Sequence, residues 1–153
     1  MFSVSILFLL FSSLVITQYF RIQQLVVFER KTTGMYLIMI FGVIIILGVA
    51  FCYGNTLFHA LTGLLGALVL IGSQYITGLT SDSFIHTSPP RIRRYIGQQI
   101  SFKDSKNIRL ENFHENKIVI RFIAYKSERF LTFSKEDESK IKNILDYNFT
   151  TVN

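Results

Sequence analysis

From Thr32 to Ser81 the chain runs for fifty residues without an Asp, Glu, Lys or Arg. An α-helix rises about 1.5 Å per residue and a bilayer core is about 30 Å thick, so one span takes roughly 20 apolar residues. Fifty residues are too many for one span and suit two. The turn formers Tyr53-Gly54-Asn55-Thr56 cluster near the middle and mark the break. Helices are therefore expected near residues 35–53 and 56–76. Residues 1–20 are also free of charge and rich in Phe, Leu, Ile and Val, which makes a third span. Three apolar stretches of this length cannot be hidden in the core of a 153-residue soluble protein.

The first span reads as a retained helix. A cleaved signal wants a basic start and a small-x-small cleavage site. The first four residues carry no base, and beyond Leu14 the chain passes Gln18, Tyr19 and Phe20 into Arg21 with no such site. The one cysteine, Cys52, has no partner for an internal disulfide. It follows Phe51, where a lipid-attachment signal needs a small residue, and it reads as a small apolar residue in a helix.

Basic residues flanking the spans set orientation. The first connection holds Arg21, Arg30 and Lys31 against Glu29, the second holds no charge, and Arg91, Arg93 and Arg94 follow the third span. Both basic segments then lie on one side. The reading is a bacterial plasma-membrane protein with its N-terminus outside and its C-terminal region in the cytoplasm. Residues 23–28, QQLVVF, either continue the first helix or lie at the membrane interface.

In the third span His59, Thr62, Gly66, Ser73 and Thr77 share one side at roughly heptad spacing, with Gly63 and Ala67 beside them. Lipid offers no hydrophobic push between helices, so small residues that admit a close neighbour usually mark a packing face. His59, Thr62, Gly63, Gly66, Ala67 and Ser73 are the expected packing residues, with Val69 or Leu70 as comparison positions if they face lipid. An ionisable group in a membrane also suggests a proton or ligand site. His59 has no second acid or base in the spans to work with, which leaves packing as the preferred role.

Beyond residue 76 the character changes, dividing the chain into a transmembrane part, 1–76, and a β-rich cytoplasmic part, 77–153. The second part carries thirteen Lys or Arg against nine Asp or Glu, a net of +4. Its patterns have period two. NIRLENF at 107–113 and KIVIRFIAY at 117–125 read as strands about a His114-Glu115-Asn116 turn, with Ile118, Ile120 and Phe122 on one face. A turn at Lys126-Ser127-Glu128 leads to a third strand at 129–133. Ser134 opens a capping pattern with Asp137, and Ile141, Ile144 and Leu145 form the apolar stripe of a covering helix over 135–147. Upstream, 78–87 reads as a small hairpin about Ser81-Asp82, and 91–102 as a further strand or strand pair.

The order of "GLTSDSFI", "RIRRYIGQQI", a strand meander and "FSKEDESKIKNIL" resembles small bacterial multi-pass membrane proteins with a C-terminal pleckstrin-homology-like cytoplasmic domain. The likeness covers about half the chain. Such proteins often carry a tryptophan in the segment written here as 95–100, whereas this chain has none. The resemblance implies a partial barrel closed by a helix, and a binding role rather than a reaction; some similar proteins accompany bacteriocin genes as self-protection factors.

Catalytic patterns are missing. Gly63, Gly66 and Gly72 follow no strand and precede no Lys-Ser or Lys-Thr, so they are not a phosphate loop. His59, His86 and His114 lack metal-ligand spacing, and no serine sits in a nucleophile elbow. Glu136, Asp137 and Glu138 complement a helix dipole. Mixed charge beside a membrane excludes nucleic acid. The expectation is a non-catalytic membrane protein without cofactor or metal. It binds membrane lipids and either another membrane subunit or a membrane-active peptide, as an accessory subunit or a bacteriocin or toxin immunity factor. Self-association is compatible with the small-residue face. The alternative is a small oligomeric transporter or channel subunit. Arg91, Arg93 and Arg94 are expected to meet lipid headgroups.

Overall fold

The computed structural model describes residues 2–87, 96–114 and 116–150. Three helices come first: α1 Phe2–Gln24, α2 Thr33–Tyr53 and α3 Leu57–Tyr75. At 23, 21 and 19 residues they are about 34, 32 and 28 Å long, each matched to a bilayer core. All three are long and apolar enough to cross a membrane. Gly54, Asn55 and Thr56 separate α2 from α3, at the expected break.

The helix α3 is central. It packs against both α1 and α2, which scarcely meet each other. Its small residues explain why. A methyl group added at Gly63 would lie 2.2 Å from the Cβ of Ala50, so α2 and α3 touch almost backbone to backbone. On the other side Phe8 of α1 lies against Phe58 of α3, ring centroids 4.9 Å apart.

The first connection is neither a helix extension nor a loop. After Gln24 the chain turns into a strand, β1 Val27–Phe28. It pairs antiparallel with β2 Gly78–Leu79, which pairs with β3 Ser83–His86, which pairs with β4 Gln98–Ser101. A second antiparallel sheet follows, β5 Lys106–His114, β6 Lys117–Ala124 and β7 Ser127–Ser134. The C-terminal helix α4 spans Glu138–Thr150. Among the described residues there are thus seven strands, in sheets of four and three.

The connection staples the two sheets together. On one side the Val26 and Glu29 amides donate to Leu79 and Thr77 carbonyls at 2.8 and 3.0 Å; on the other the Arg30 amide donates to the Thr132 carbonyl of β7 at 2.7 Å. Gly78 is required here. A Cβ at that position would sit 2.2 Å from the Val27 carbonyl oxygen, so any other residue pushes β1 away.

One core lies between both sheets and α4. Ile118, Ile120 and Phe122 point into it, as the period-two pattern requires, with Leu131 and Phe133 from β7, Leu79 and Phe84 from the first sheet, and Ile141 and Leu145 from α4. Phe84 is its pivot. It stacks on Phe122 at 4.2 Å and meets Phe102 edge-on at 4.8 Å.

Three local expectations are corrected. The β6–β7 turn is the pair Tyr125-Lys126, not Lys126-Ser127-Glu128. Both residues adopt positive φ, 51° and 64°, and Ala124 pairs with Ser127. A two-residue turn of this hand matches the twist of its strands, which outweighs the cost of left-handed non-glycine residues. Ser134 makes no side-chain cap, because a 3-10 turn over Lys135–Asp137 comes between it and α4. Val69 is buried rather than facing lipid. Of the strand expected over 91–102, residues 98–101 form β4 and 91–95 lie outside the described residues.

Removing the pivot ring leaves a cavity between the sheets. Phe84→Ala is expected to cost about 3–5 kcal/mol, measured as a lower denaturation midpoint of the β-sheet signal in detergent, with the helical signal retained.

Candidate functional site

Because α1 and α2 flank α3 without closing over it, a lateral groove remains between them. It holds two cavities of about 390 Å³ each, which share Phe11 of α1 and Ile46 of α2. The one nearer the sheets is walled by Leu10 and Leu14 and floored by Gly66 and Val69. The one nearer the α2–α3 turn is floored by Thr62 and Gly63 and reaches Tyr53 and His59 at its mouth. The floor is low because α3 places glycines there, and the walls are aliphatic and aromatic.

Of the packing residues expected from sequence, His59, Thr62 and Gly63 line one cavity and Gly66 lines the other. Ala67 is buried, Ser73 is half-buried, and neither lines these two cavities. The polar groups are held within the helix. Thr62 donates to the Phe58 carbonyl and Ser73 to the Leu70 carbonyl, at 2.8 and 2.7 Å. His59 Nδ1 lies 2.7 Å from the Thr56 hydroxyl, one turn back. The groove is therefore a dry surface with one imidazole at its end.

One buried contact lies outside the expected packing residues. Gln18 of α1 is only 2 % exposed, and its amide donates to the Val69 carbonyl of α3 at 3.0 Å. Gly72 makes room for it, since a Cβ there would meet Gln18 Oε1 at 2.2 Å. A hydrogen bond across two helices in an apolar medium fixes their rotation and register. The signal was the one side-chain amide among the first twenty residues.

Below the bundle lies a polar junction. Lys31, whose side chain is 8 % exposed, pairs with Glu29 at 2.5 Å and also donates to the Thr77 hydroxyl. His86 of β3 lies beside them, with Arg129 of β7 at 3.4 Å from its Nδ1. Burial holds the His86 imidazole below its ordinary value of 6.5, and the Arg129 and Lys31 cations push the same way against Glu29. The other basic residues of the connection are fasteners too: Arg21 donates to the Gln99 side chain and Arg30 to the Asn116 carbonyl, the latter at 3.2 Å. Arg91, Arg93 and Arg94 lie outside the described residues. Among the described residues no group of three or more His, Cys, Asp or Glu side chains is placed to hold a metal ion. Cys52 is exposed on α2.

Compared with known protein families, with curated proteins and with solved structures, the chain matches none.

Two outcomes follow from these contacts. Gly63→Leu should weaken the α2–α3 contact by about 1–2 kcal/mol, the scale of interhelical contacts in membranes. Leu64→Ala, on the exposed face of α3, should be close to neutral. Thermal unfolding in detergent checks both, and equal effects would discredit the assigned face. For His86, the folded state prefers the neutral ring more than the unfolded chain does. Its contribution is full above about pH 6.5 and is lost as pH falls below that value. The wild-type protein should lose stability between pH 6.5 and 5 more steeply than His86→Gln.

Proposed function

We propose that this chain is an integral protein of a bacterial plasma membrane that binds a partner lying within the bilayer. The partner is a helix of another membrane subunit or an incoming membrane-active peptide, which makes the protein an accessory subunit or an immunity factor against a bacteriocin or toxin. The groove between α1 and α2 carries this reading, because it offers an apolar, laterally open surface with a glycine floor where a second backbone can come close. In this reading the chain enters from the outer face, and the sheets and α4 lie in the cytoplasm. The clustering of Arg21, Arg30 and Lys31 at the sheet end of the bundle supports that orientation.

Sheets of four and three antiparallel strands closed by a C-terminal helix support the pleckstrin-homology-like description. The role assigned to the domain is non-catalytic. A transporter or channel subunit is the less favoured reading. Its pore would need hydroxyls turned outward to water, whereas Thr62 and Ser73 bond to carbonyls of their own helix.

The test uses groove-filling substitutions. Leu14→Trp fills the cavity nearer the sheets, while Leu68→Trp adds the same bulk on the exposed face of α3. Loss of about 1.4 kcal/mol of contact lowers affinity tenfold. Recovery of a membrane partner identified by co-purification in mild detergent should fall by about that factor for Leu14→Trp and stay unchanged for Leu68→Trp. Equal recovery from both would remove the groove from the binding surface. A reporter fused after Asn153 should be cytoplasmic, and a tag at Asn55 should be reachable from outside; the reverse pattern would overturn the orientation.

A further inference from the structure

A ring of tyrosines marks one end of the helical bundle. Tyr19 lies in the last turns of α1, Tyr36 in the first turn of α2, and Tyr75 ends α3. All three are exposed on the bundle surface at the end that carries the sheets. Exposed tyrosines at one level of a bundle mark a membrane–water boundary, where the ring rests in apolar surroundings and the hydroxyl meets water.

The C-terminal helix reaches this level. Val26 lies two residues beyond α1, so it is within about 7 Å of the helix end even in extended chain. Val26 is half exposed, and it faces Ile144 and Tyr147 of α4 across an open depression of about 410 Å³. Tyr147 is 75 % exposed although it projects from the helix that closes the core. The position of α4 is held firmly there. The Asn148 amide donates to the carbonyls of Ser81 and Ile144 at 2.7 and 2.8 Å, which ties the last turns of the helix to the β2–β3 turn.

The geometry points to a second membrane contact, in which the Tyr147 edge of α4, with Val26 and Ile144, rests in the headgroup layer of the bilayer that the three helices span. This rests on the reading of those helices as membrane spans. The depression takes lipid at the acyl–glycerol boundary, and Tyr147 adds a fourth ring to the belt of Tyr19, Tyr36 and Tyr75. Amphipathic helices lie in this plane with their apolar edge in the boundary layer and their polar side in water. Here Lys142, paired with Glu138 at 2.7 Å one turn apart, belongs to the watered side. The sheet domain is then seated on the membrane along two lines, the β1 connection and the last turns of α4.

The chain contains no tryptophan, so each introduced one is the only such fluorophore. Three full-length variants suffice, reconstituted in vesicles of phosphatidylglycerol and phosphatidylethanolamine. Tyr147→Trp reports the proposed contact, Val26→Trp the boundary beside α1, and Ile44→Trp the middle of α2, where the native side chain is exposed. Ile44→Trp should be quenched by bromine placed deep in the acyl chains. Both Val26→Trp and Tyr147→Trp should be quenched by a nitroxide on the headgroup and spared by acrylamide in the water. If Ile44→Trp is quenched deeply but Tyr147→Trp only by acrylamide, the contact is absent while the spans stand. If Ile44→Trp is itself open to acrylamide and untouched by bromolipid, the spanning reading fails and this contact with it. Tyr147 is largely exposed, so an indole is accommodated there without entering the core. Unchanged circular dichroism confirms that the quenching reports position.

Discussion

Three backbone hydrogen bonds hold this architecture in one piece. The amides of Val26 and Glu29 reach one sheet and that of Arg30 reaches the other. The segment joining α1 to α2 is therefore a structural strand, with its donors shared between two sheets. A buried amide must find an acceptor, and here the acceptors are supplied by β2, the residue before it, and β7. The hairpin of α2 and α3 becomes an insertion between two neighbouring strands, since β1 precedes it and β2 follows it directly. The first sheet cannot close until that hairpin has folded back on itself, which makes the contact between β1 and β2 non-local.

Much of this was legible in the chain, and the failures have physical causes. The helices were legible because a charge-free run of fifty residues has few alternatives. The second sheet was legible because Ile118, Ile120 and Phe122 recur with period two, although Val119 between them is buried as well. By contrast, β1 is two residues long, and two residues carry no period. Its partner is about fifty positions away, so only the tertiary structure reveals that Gly78 must be bare to let Val27 approach. Gln18 escapes a search for small residues, although an amide in a membrane span needs an acceptor as surely as a glycine invites a neighbour. The same contact places Val69 inward, since its carbonyl is the acceptor. In the third span the stripe of Thr62, Gly63 and Gly66 was legible, but not the fact that two different helices use it. Gly63 meets Ala50 of α2, while a Cβ added at Gly66 would lie 3.2 Å from the Phe11 ring of α1.

Basic residues at a membrane boundary are commonly read as orientation signals. In this protein Arg21, Arg30 and Lys31 each also hold a specific partner. Lys31 is the most constrained. Its ammonium sits almost out of solvent with a carboxylate and a hydroxyl, an arrangement in which losing either partner leaves a charge poorly compensated. Burial holds the His86 imidazole below its ordinary value, and the Arg129 guanidinium and this same ammonium push the same way. Acid would add a third positive charge to a place that has one carboxylate.

The groove and the junction are mechanically linked by the way the helices are held. Gln18 locks α1 to α3, and the Gly63–Ala50 contact locks α2 to α3, so both walls of the groove are referred to the same central helix. The walls meet again only through the connection between them, and that connection is β1 and the polar junction. A guest that spreads α1 from α2 must then rotate at least one of them about α3. The rotation is taken up either in the Gln18 and Gly63 contacts or in the strand that carries Val27, Glu29 and Lys31. The first pair is rigid, because one is a buried hydrogen bond and the other leaves no room for a methyl group. The strand is held by three backbone bonds and an ion pair at its end, and among the described strands it is the shortest together with its partner β2. Displacement of the groove walls is therefore opposed at two levels, by the Gln18 and Gly63 contacts within the bundle and by the hydrogen-bonded strand at its end.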